Sequence, residues 1–241
     1  MFELLSPDQT SRKPRTNHAH VVAELGGEIV AGVFPIGSTL PGDAELEQRF
    51  QVSRTVLREA MKTLAAKGLV EARARIGTRV TDRKRWNLFD SDVLSWHFKY
   101  SSNEDLFKHL VDVRLTLEPA AAAMAALHAS EEDIAELYKH ADDMATAESS
   151  TDFVRADLQL HLAILGMSKN PFMWSVGSLI GAALNRIFHR SSPASNPEDI
   201  ARNAGNHRAI VDAIAARDQD AASAAMRKVI IVGAERVAGK A

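Results

Sequence analysis

The sequence predicts a mainly α chain built in two parts. Three short helices and a β-hairpin come first, and an all-α bundle of six or seven helices follows. Three observations lead there. Apolar residues recur at helical spacing from about residue 18 onward, interrupted only by two short strand-like segments, 69–73 and 78–81. The helical stretches beyond residue 100 are separated by capping residues and short links. Charge also divides: residues 1–85 hold 14 Lys+Arg against 10 Asp+Glu, and residues 86–241 hold 15 against 21, so +4 against −6.

Residues 1–16 are polar and basic with Pro7 and Pro14, and read as a flexible tail. Residues 17–84 form the first domain. Its opening helix, about 18 to 31, aligns Val22, Leu25 and Ile29 on one side, with Gly32 placed to cap its end. Phe34-Pro35-Ile36-Gly37 reads as a turn. A short helix over 43–50 points Leu46 and Phe50 inward, Phe50-Gln51-Val52-Ser53 turns the chain, and Ser53 is a natural N-cap. The next helix sets Leu57, Ala60, Met61 and Leu64 at i, i+3, i+4 and i+7, one buried face. Its other face carries Arg54, Thr55, Arg58 and Lys62. The two strand-like segments flank a turn holding Gly77. Helix, turn, helix and hairpin in that order make a winged helix-turn-helix.

The charge of this stretch fits nucleic acid. Between Arg49 and Arg85 stand 11 Lys+Arg and 3 Asp+Glu, a net +8 in a chain of net −2. A basic helix face is often merely solvated. Joined to the turn and the hairpin, it is the electrostatic footprint expected of a phosphate-binding surface. Arg54 and Arg58 are the expected base or phosphate contacts on the exposed helix, with Ser53 and Thr55 positioning it. Arg73, Arg75, Gly77 and Thr78 form the wing's contact set, and Arg83-Lys84-Arg85 offers a further backbone contact.

Residues 85–102 read as a linker with a short helix from about residue 91. Trp86, Leu88 and Phe89 are expected to press against both domains, because an aromatic cluster is more often core than cofactor box. Residues 103–241 form the bundle. Its first helix runs to about 126 on a stripe of Leu106, Leu110, Val113, Leu117 and Met124. Ser130 with Asp133 caps the next, to about 147. Thr151 or Asp152 opens one to about 167, and Asn170-Pro171 another to about 190. After a Ser/Pro loop over 191–195, Asn196-Pro197 restarts a helix to about 216, and Arg217-Asp218-Gln219 turns into the last, to about 237.

Composition narrows the classes. At 241 residues, 46% apolar and 25% charged, the chain suits two ordinary globular domains. It has no cysteine, which excludes disulfides and thiolate metal sites. No apolar run of about 18 residues and no signal-peptide pattern is present, so a cytoplasmic protein with no membrane partner is expected.

In the bundle, Asp157 and His161 lie four apart on one helix and share a face with Val154, Leu158 and Leu165. His207 lies in line with Ile210, Val211 and Ile214. A carboxylate in an apolar stripe is costly unless paired or coordinated. Three such groups in one bundle favour a polar or metal pocket, set against an ordinary buried hydrogen-bond network. His97, His109, His128, His140 and His189 join no constellation.

The N-terminal run Gly37…Leu40-Pro41, Glu45-Leu46, Val52-Ser53-Arg54, Leu57-Arg58-Glu59-Ala60, Leu64, Gly68-Leu69-Val70, Gly77 and Val80 resembles the DNA-binding domain of the GntR family of bacterial transcription regulators. The second half, through Val113-Arg114…Leu117-Glu118-Pro119, Ala156-Asp157…His161 and His207-Arg208…Ile210, is similar to the FCD ligand-binding domain of the fatty-acid-regulator-like subgroup. The linker resembles that of the D-galactonate-type, sugar-acid-responsive members. The resemblance implies a homodimer that binds double-stranded operator DNA and a small carboxylate effector, a sugar acid such as a hexonate, and that represses sugar-acid catabolism. It also implies a divalent metal, Zn, Mn or Ni, held by Asp157, His161 and His207. Relatives place a fourth His in the last helix; folding the chain at about 217–218 sets His207 opposite 228 or 229, and this chain has Val229 there. Arg114 is the implied carboxylate clamp, an ion pair within the bundle being the alternative, and Arg186, Arg190 and Asn206 are further effector candidates.

Two other functions stay open at this point. A regulator for which metal is itself the signal has the same architecture. A metal-dependent helical-bundle enzyme would use the same three residues, but the chain lacks H-E-x-x-H, paired Glu-x-x-His and a nucleophile elbow.

Overall fold

The computed structural model describes residues 16–100, 104–177, Gly181, Leu184, Phe188 and 196–239. The tail expected over 1–16 lies outside them except for Thr16, as does the Ser/Pro loop over 191–195. The chain divides into two compact units, Met1–Asn103 and Glu104–Ala241.

In the first unit, α1 (Asn17–Ala31) is capped by the Thr16 side chain and closed by Gly32 in the left-handed region, φ 82°. Helices α2 (Asp43–Phe50) and α3 (Arg54–Ala66) form the helix-turn-helix, with Ser53 Oγ accepting from the Val56 amide. Val21, Leu25 and Ile29 of α1 pack with Leu46, Leu57, Ala60 and Leu64 in one core. Strands β1 (Val70–Arg73) and β2 (Gly77–Val80) pair antiparallel in the register Val70↔Val80. The turn between them is 74–76, with Arg75 at φ 65°, and Gly77 begins β2 instead of lying in the turn. Residues 37–40, of which sequence placed only Gly37, at the end of a turn, extend this sheet. Val80 N donates to Ser38 O, and Gly37 N and Leu40 N donate to Val80 O and Thr78 O, at 2.8–2.9 Å.

The stretch after the wing is built onto the same core. A 3₁₀ turn over Arg83–Arg85 leads to Trp86, whose indole donates to Thr81 Oγ1 at 3.1 Å. Trp86 is buried, but Leu88 and Phe89 are 41% and 51% exposed, so these two are not the pressed residues their type suggests. The cause is local: Asn87 accepts from the Phe89 amide and bonds the Asp90 amide, turning the chain outward there. Lys67 then ties the turn down, with Nζ 2.7 Å from Asp90 and 2.8 Å from Asp92. Helix α4 (Ser91–Tyr100) lies on α1, where Gly26 and Gly27 leave room for Trp96 and Tyr100.

Among the described residues the elements of the second unit are all helices: α5 (Glu104–His128), α6 (Glu131–Ala145), α7 (Ser150–Met167), α8 (described over 171–177), α9 (Pro197–Ala215) and α10 (Gln219–Val237). Ser130 and Asp133 form the expected capping box of α6. Helix α7 opens one or two residues earlier than expected, because Ser149 caps it. Helix α10 packs on α5 and α9, α6 on α7 and α9, and α5 on α7. Their shared core includes Ala121, Ala125, Leu137, Met144, Phe153, Leu160, Ile164, Ile210, Ile214 and Met226. The α9–α10 turn is fastened by Arg217, which donates to Ala129 O at 2.6 Å at the end of α5. Among the described residues no helix is long and apolar enough to cross a membrane.

Gly26 gives a direct test of this packing. A Cβ there would sit 2.4 Å from the Trp96 ring. Alanine is the better helix former by roughly 0.5–1 kcal/mol, but the overlap with a buried indole outweighs that. Gly26→Ala should lower stability by about 1–3 kcal/mol, measured as a fall in the urea midpoint of the first unit's unfolding.

Candidate functional site

Two groups of residues stand out, one in each unit. In the first, Arg54, Thr55 and Arg58 are exposed along one face of α3, opposite the buried Leu57, Ala60 and Leu64. Among the described residues, neither Arg54 nor Arg58 has a hydrogen bond or ion pair, whereas Lys62 is paired with Glu59 at 2.8 Å. Ser53 caps α3, so the helix's free amides and partial positive charge open beside Arg54 and Thr55. On the wing, Arg75 and Gly77 are exposed and Thr78 is half-buried. Arg73 and Arg85 both lean on Glu71. Arg79 is turned inward, donating Nε to Gly37 O at 2.8 Å, and so holds the wing's third segment in place.

The second group lies inside the bundle. Asp157 and His161 project from one face of α7, and His207 meets them from α9. Asp157 Oδ1 lies 3.2 Å from His161 Nε2 and 3.1 Å from His207 Nε2. All three residues are buried, and these three atoms have no hydrogen-bond partner of acceptable geometry. Each imidazole has its other nitrogen engaged. His161 Nδ1 is 2.6 Å from Glu118 Oε2, and His207 Nδ1 is 2.8 Å from the Asn203 carbonyl. Glu118 in turn receives Arg114 Nε at 2.7 Å and Nη2 at 3.2 Å. Phe188 covers this layer, its ring 5.1 Å from that of His161 and 4.7 Å from the Arg114 guanidinium carbon.

Burial alone would raise both acids. For Glu118 the Arg114 guanidinium and His161 outweigh it and bring the carboxyl to about 2. For Asp157, burial is outweighed by His207 and His161, which hold it well below the usual carboxylate range. His161 is pushed down by burial but raised on balance by Glu118 and Asp157. With neutral imidazoles, the Arg114–Glu118 pair cancels and the Asp157 charge is left over. An oxygen and two nitrogens around one point, about 3.1–3.2 Å apart along two edges, suit one divalent ion with bonds near 2.1 Å. A group of three such ligand atoms within 4.8 Å of one another occurs at Asp157, His161 and His207.

The structure thus brings Asp157, His161 and His207 together. Arg114 is buried beside them with its fork on Glu118. Asn206 is half-buried, one residue from His207 and therefore about 100° around α9 from it. Arg186 and Arg190 lie outside the described residues. Val229 is buried at 7% exposure among the core residues of α10. Sequence reading quoted Glu118 within a motif but gave it no role, and it did not name Asn203 or Phe188. Glu118 had a signal, the i,i+4 spacing from Arg114 that makes an ion pair on one helix; Asn203 acts through its backbone and had none. Arg236 on α10, half-buried, feels the Asp157 and Asp199 charges, though burial is the larger influence and lowers its pKa.

Comparison with known proteins follows the same division. Residues 17–80 match the bacterial regulatory proteins, gntR family, and residues 109–231 match the FCD domain. An uncharacterized HTH-type transcriptional regulator, YieP, of Escherichia coli (strain K12) is 36% identical over 218 residues, covering 89% of this chain and 93% of that one. The galactonate operon transcriptional repressor of the same organism is 33% identical over 221 residues, covering 90% and 95%. Among solved structures, Lar, which controls the Listeria monocytogenes agr system, superposes with a TM-score of 0.62 at 18% identity, covering 95% and 99%. That likeness concerns the fold.

The buried pair yields a stability prediction. Arg114→Met leaves Glu118 charged and without its guanidinium, so the bundle should lose about 3–5 kcal/mol. Combining it with Glu118→Gln removes the stranded charge and should recover part of that loss. Equal unfolding midpoints for the two variants would contradict the pairing.

Proposed function

We propose, from the premise that this chain belongs to the GntR family of bacterial regulatory proteins and carries an FCD domain, that it is an operator-binding repressor controlled by a small carboxylate metabolite of the sugar-acid class. The observation that carries the second half is the convergence of Asp157 Oδ1, His161 Nε2 and His207 Nε2, buried and unpartnered, on one point. A buried polar atom left without a partner costs about 1–3 kcal/mol, so three facing one another have the character of ligands to a shared cation. The names of similar proteins support the effector class: one is the galactonate operon repressor, and another, 28% identical over 211 residues, is the repressor NanR of Cronobacter sakazakii.

A divalent cation, Zn, Mn or Ni, would be held by Asp157, His161 and His207 and would supply positive charge and open positions for a carboxylate and a neighbouring hydroxyl. Asp157 provides the anionic ligand and the two imidazoles the neutral ones. Val229 adds an apolar, non-ligating surface to this bundle, which leaves more of the cation's positions to the effector. Arg114, the implied carboxylate clamp, stands behind the site with its fork on Glu118 and balances that charge, so the cation is the main attraction for the effector's carboxylate. An effector bound more tightly in one arrangement of the chain shifts the population toward it, and operator affinity changes by that difference.

On the DNA side, Arg54 and Arg58 serve as the principal contacts, Ser53 and Thr55 set the helix, and Arg73, Arg75, Gly77 and Thr78 follow the backbone or minor groove. One short recognition helix reads only a few base pairs. A homodimer on a two-fold operator doubles the site, and DNA as the partner sets the location in the cytoplasm.

Two experiments test these halves separately. Arg54→Ala and Arg58→Ala should each weaken specific binding by about 1–3 kcal/mol, read by fluorescence anisotropy on DNA flanking the gene; unchanged affinity in both would remove α3 from the interface. The double change His161→Ala and His207→Ala should keep DNA binding and abolish the response to hexonates. Retention of that response would place the effector elsewhere, and a response to metal alone, without any acid, would favour a metal-sensing regulator.

A further inference from the structure

The two ring nitrogens of His161 face opposite ways. Nε2 is 3.2 Å from Asp157 Oδ1 at the shared point, and Nδ1 is 2.6 Å from Glu118 Oε2 behind it. Glu118 is only 1% exposed and comes from α5, a different helix from Asp157, His161 and His207. Its carboxylate is itself fixed by Arg114 through two donors.

We propose that Glu118 is a positioning residue for this centre: its Oε2 accepts the hydrogen bond of His161 Nδ1–H, keeps the proton on that nitrogen and so holds the Nε2 lone pair toward the point shared with Asp157 and His207. The inference rests on the reading of that point as a metal or effector site, and adds the residue that decides which nitrogen is offered to it.

The chemistry leaves little choice. A neutral imidazole has one N–H and one lone pair and, left alone, can place the proton on either nitrogen. An ionised carboxylate only accepts. Glu118 receives the Arg114 guanidinium through two donors, Nε on Oε1 and Nη2 on Oε2, which hold it as an acceptor. Nδ1 therefore carries a proton, whether or not Nε2 does. His207 reaches the same state by another route, since its Nδ1 faces a backbone carbonyl that also only accepts. Both rings present Nε2, but the partner of His161 is a side chain and can be altered. The competing account is that Glu118 merely neutralises Arg114 in the core and has no bearing on the histidine.

Glu118→Gln separates the two. Arg114 donates to both carboxylate oxygens, so either orientation of the amide sets its NH₂ against one of those donors, and the neutral oxygen that remains is a weaker acceptor than a carboxylate. The ring proton is then no longer fixed on Nδ1 and can move to Nε2, where it blocks ligation. In metal-free protein labelled with ¹⁵N-histidine, NMR should find the His161 proton on Nδ1 in the natural protein and at least partly moved to Nε2 in the variant. Zinc affinity by calorimetry should fall about 10–100-fold. Glu118→Asp provides a second variant that keeps the charge for Arg114 and withdraws the oxygen by one methylene. It should fold and still lose zinc affinity, which a purely neutralising role would not cause. A natural protein without a proton on Nδ1, or unchanged zinc affinity in either folded variant, overturns the proposal. Should the natural protein bind no zinc, the metal reading fails by itself, and the position of the Nδ1 proton still decides the role of Glu118.

Discussion

The Asp157 carboxylate is buried in the middle of a helical bundle, and the surrounding structure follows from the need to keep it there. An isolated ionised carboxylate in such a place costs several kcal/mol, so something positive or proton-donating must meet it. Two imidazoles come close, but each has committed its Nδ1 elsewhere, to Glu118 or to the Asn203 carbonyl. In its neutral form each ring then turns a lone pair toward Asp157 Oδ1, which repels a carboxylate oxygen and attracts a cation. The three atoms lie close together yet make no good hydrogen bond among themselves. A cation held by them would remove that conflict.

The same balance governs the neighbouring layer. Arg114 and Glu118 lie one turn apart on α5 and are both nearly inaccessible, so each requires the other. The pair draws α5 to α7 through His161, and Asn203 supports α9 through His207. Three helices are thus joined at one polar point inside a core otherwise made of Ala, Val, Leu, Ile, Phe and Met. A signal that changes the occupancy of that point acts on all three, which is the physical basis for coupling a small ligand to a larger rearrangement.

Much of the fold was legible in the sequence because it is set by local rules. Ser53, Ser130 with Asp133, Asn196 and Asp218 announce helix starts, and the 3.6-residue period of Leu57, Ala60 and Leu64 marks a buried face. What escaped reading depends on contacts distant in the chain. Residues 37–40 join the wing's sheet through backbone bonds to Thr78 and Val80, which no side-chain pattern encodes. Leu88 and Phe89 look like core by composition, yet Asn87 turns them outward. In the site, Asp157 and His161 were visible as an i,i+4 pair, and His207 by its place in an apolar stripe. Their second partners were not, because Glu118 meets His161 across 43 positions of sequence and Asn203 contributes only its carbonyl.

The most direct test of the account is to see what lies between the three buried atoms. Crystals of the protein grown with zinc or manganese and a hexonate, measured at the metal's absorption edge, should show an anomalous peak within bonding distance of Asp157 Oδ1, His161 Nε2 and His207 Nε2, with the acid's carboxylate beside it. A centre with no ion and no acid, in protein whose operator affinity still responds to that acid, would contradict it.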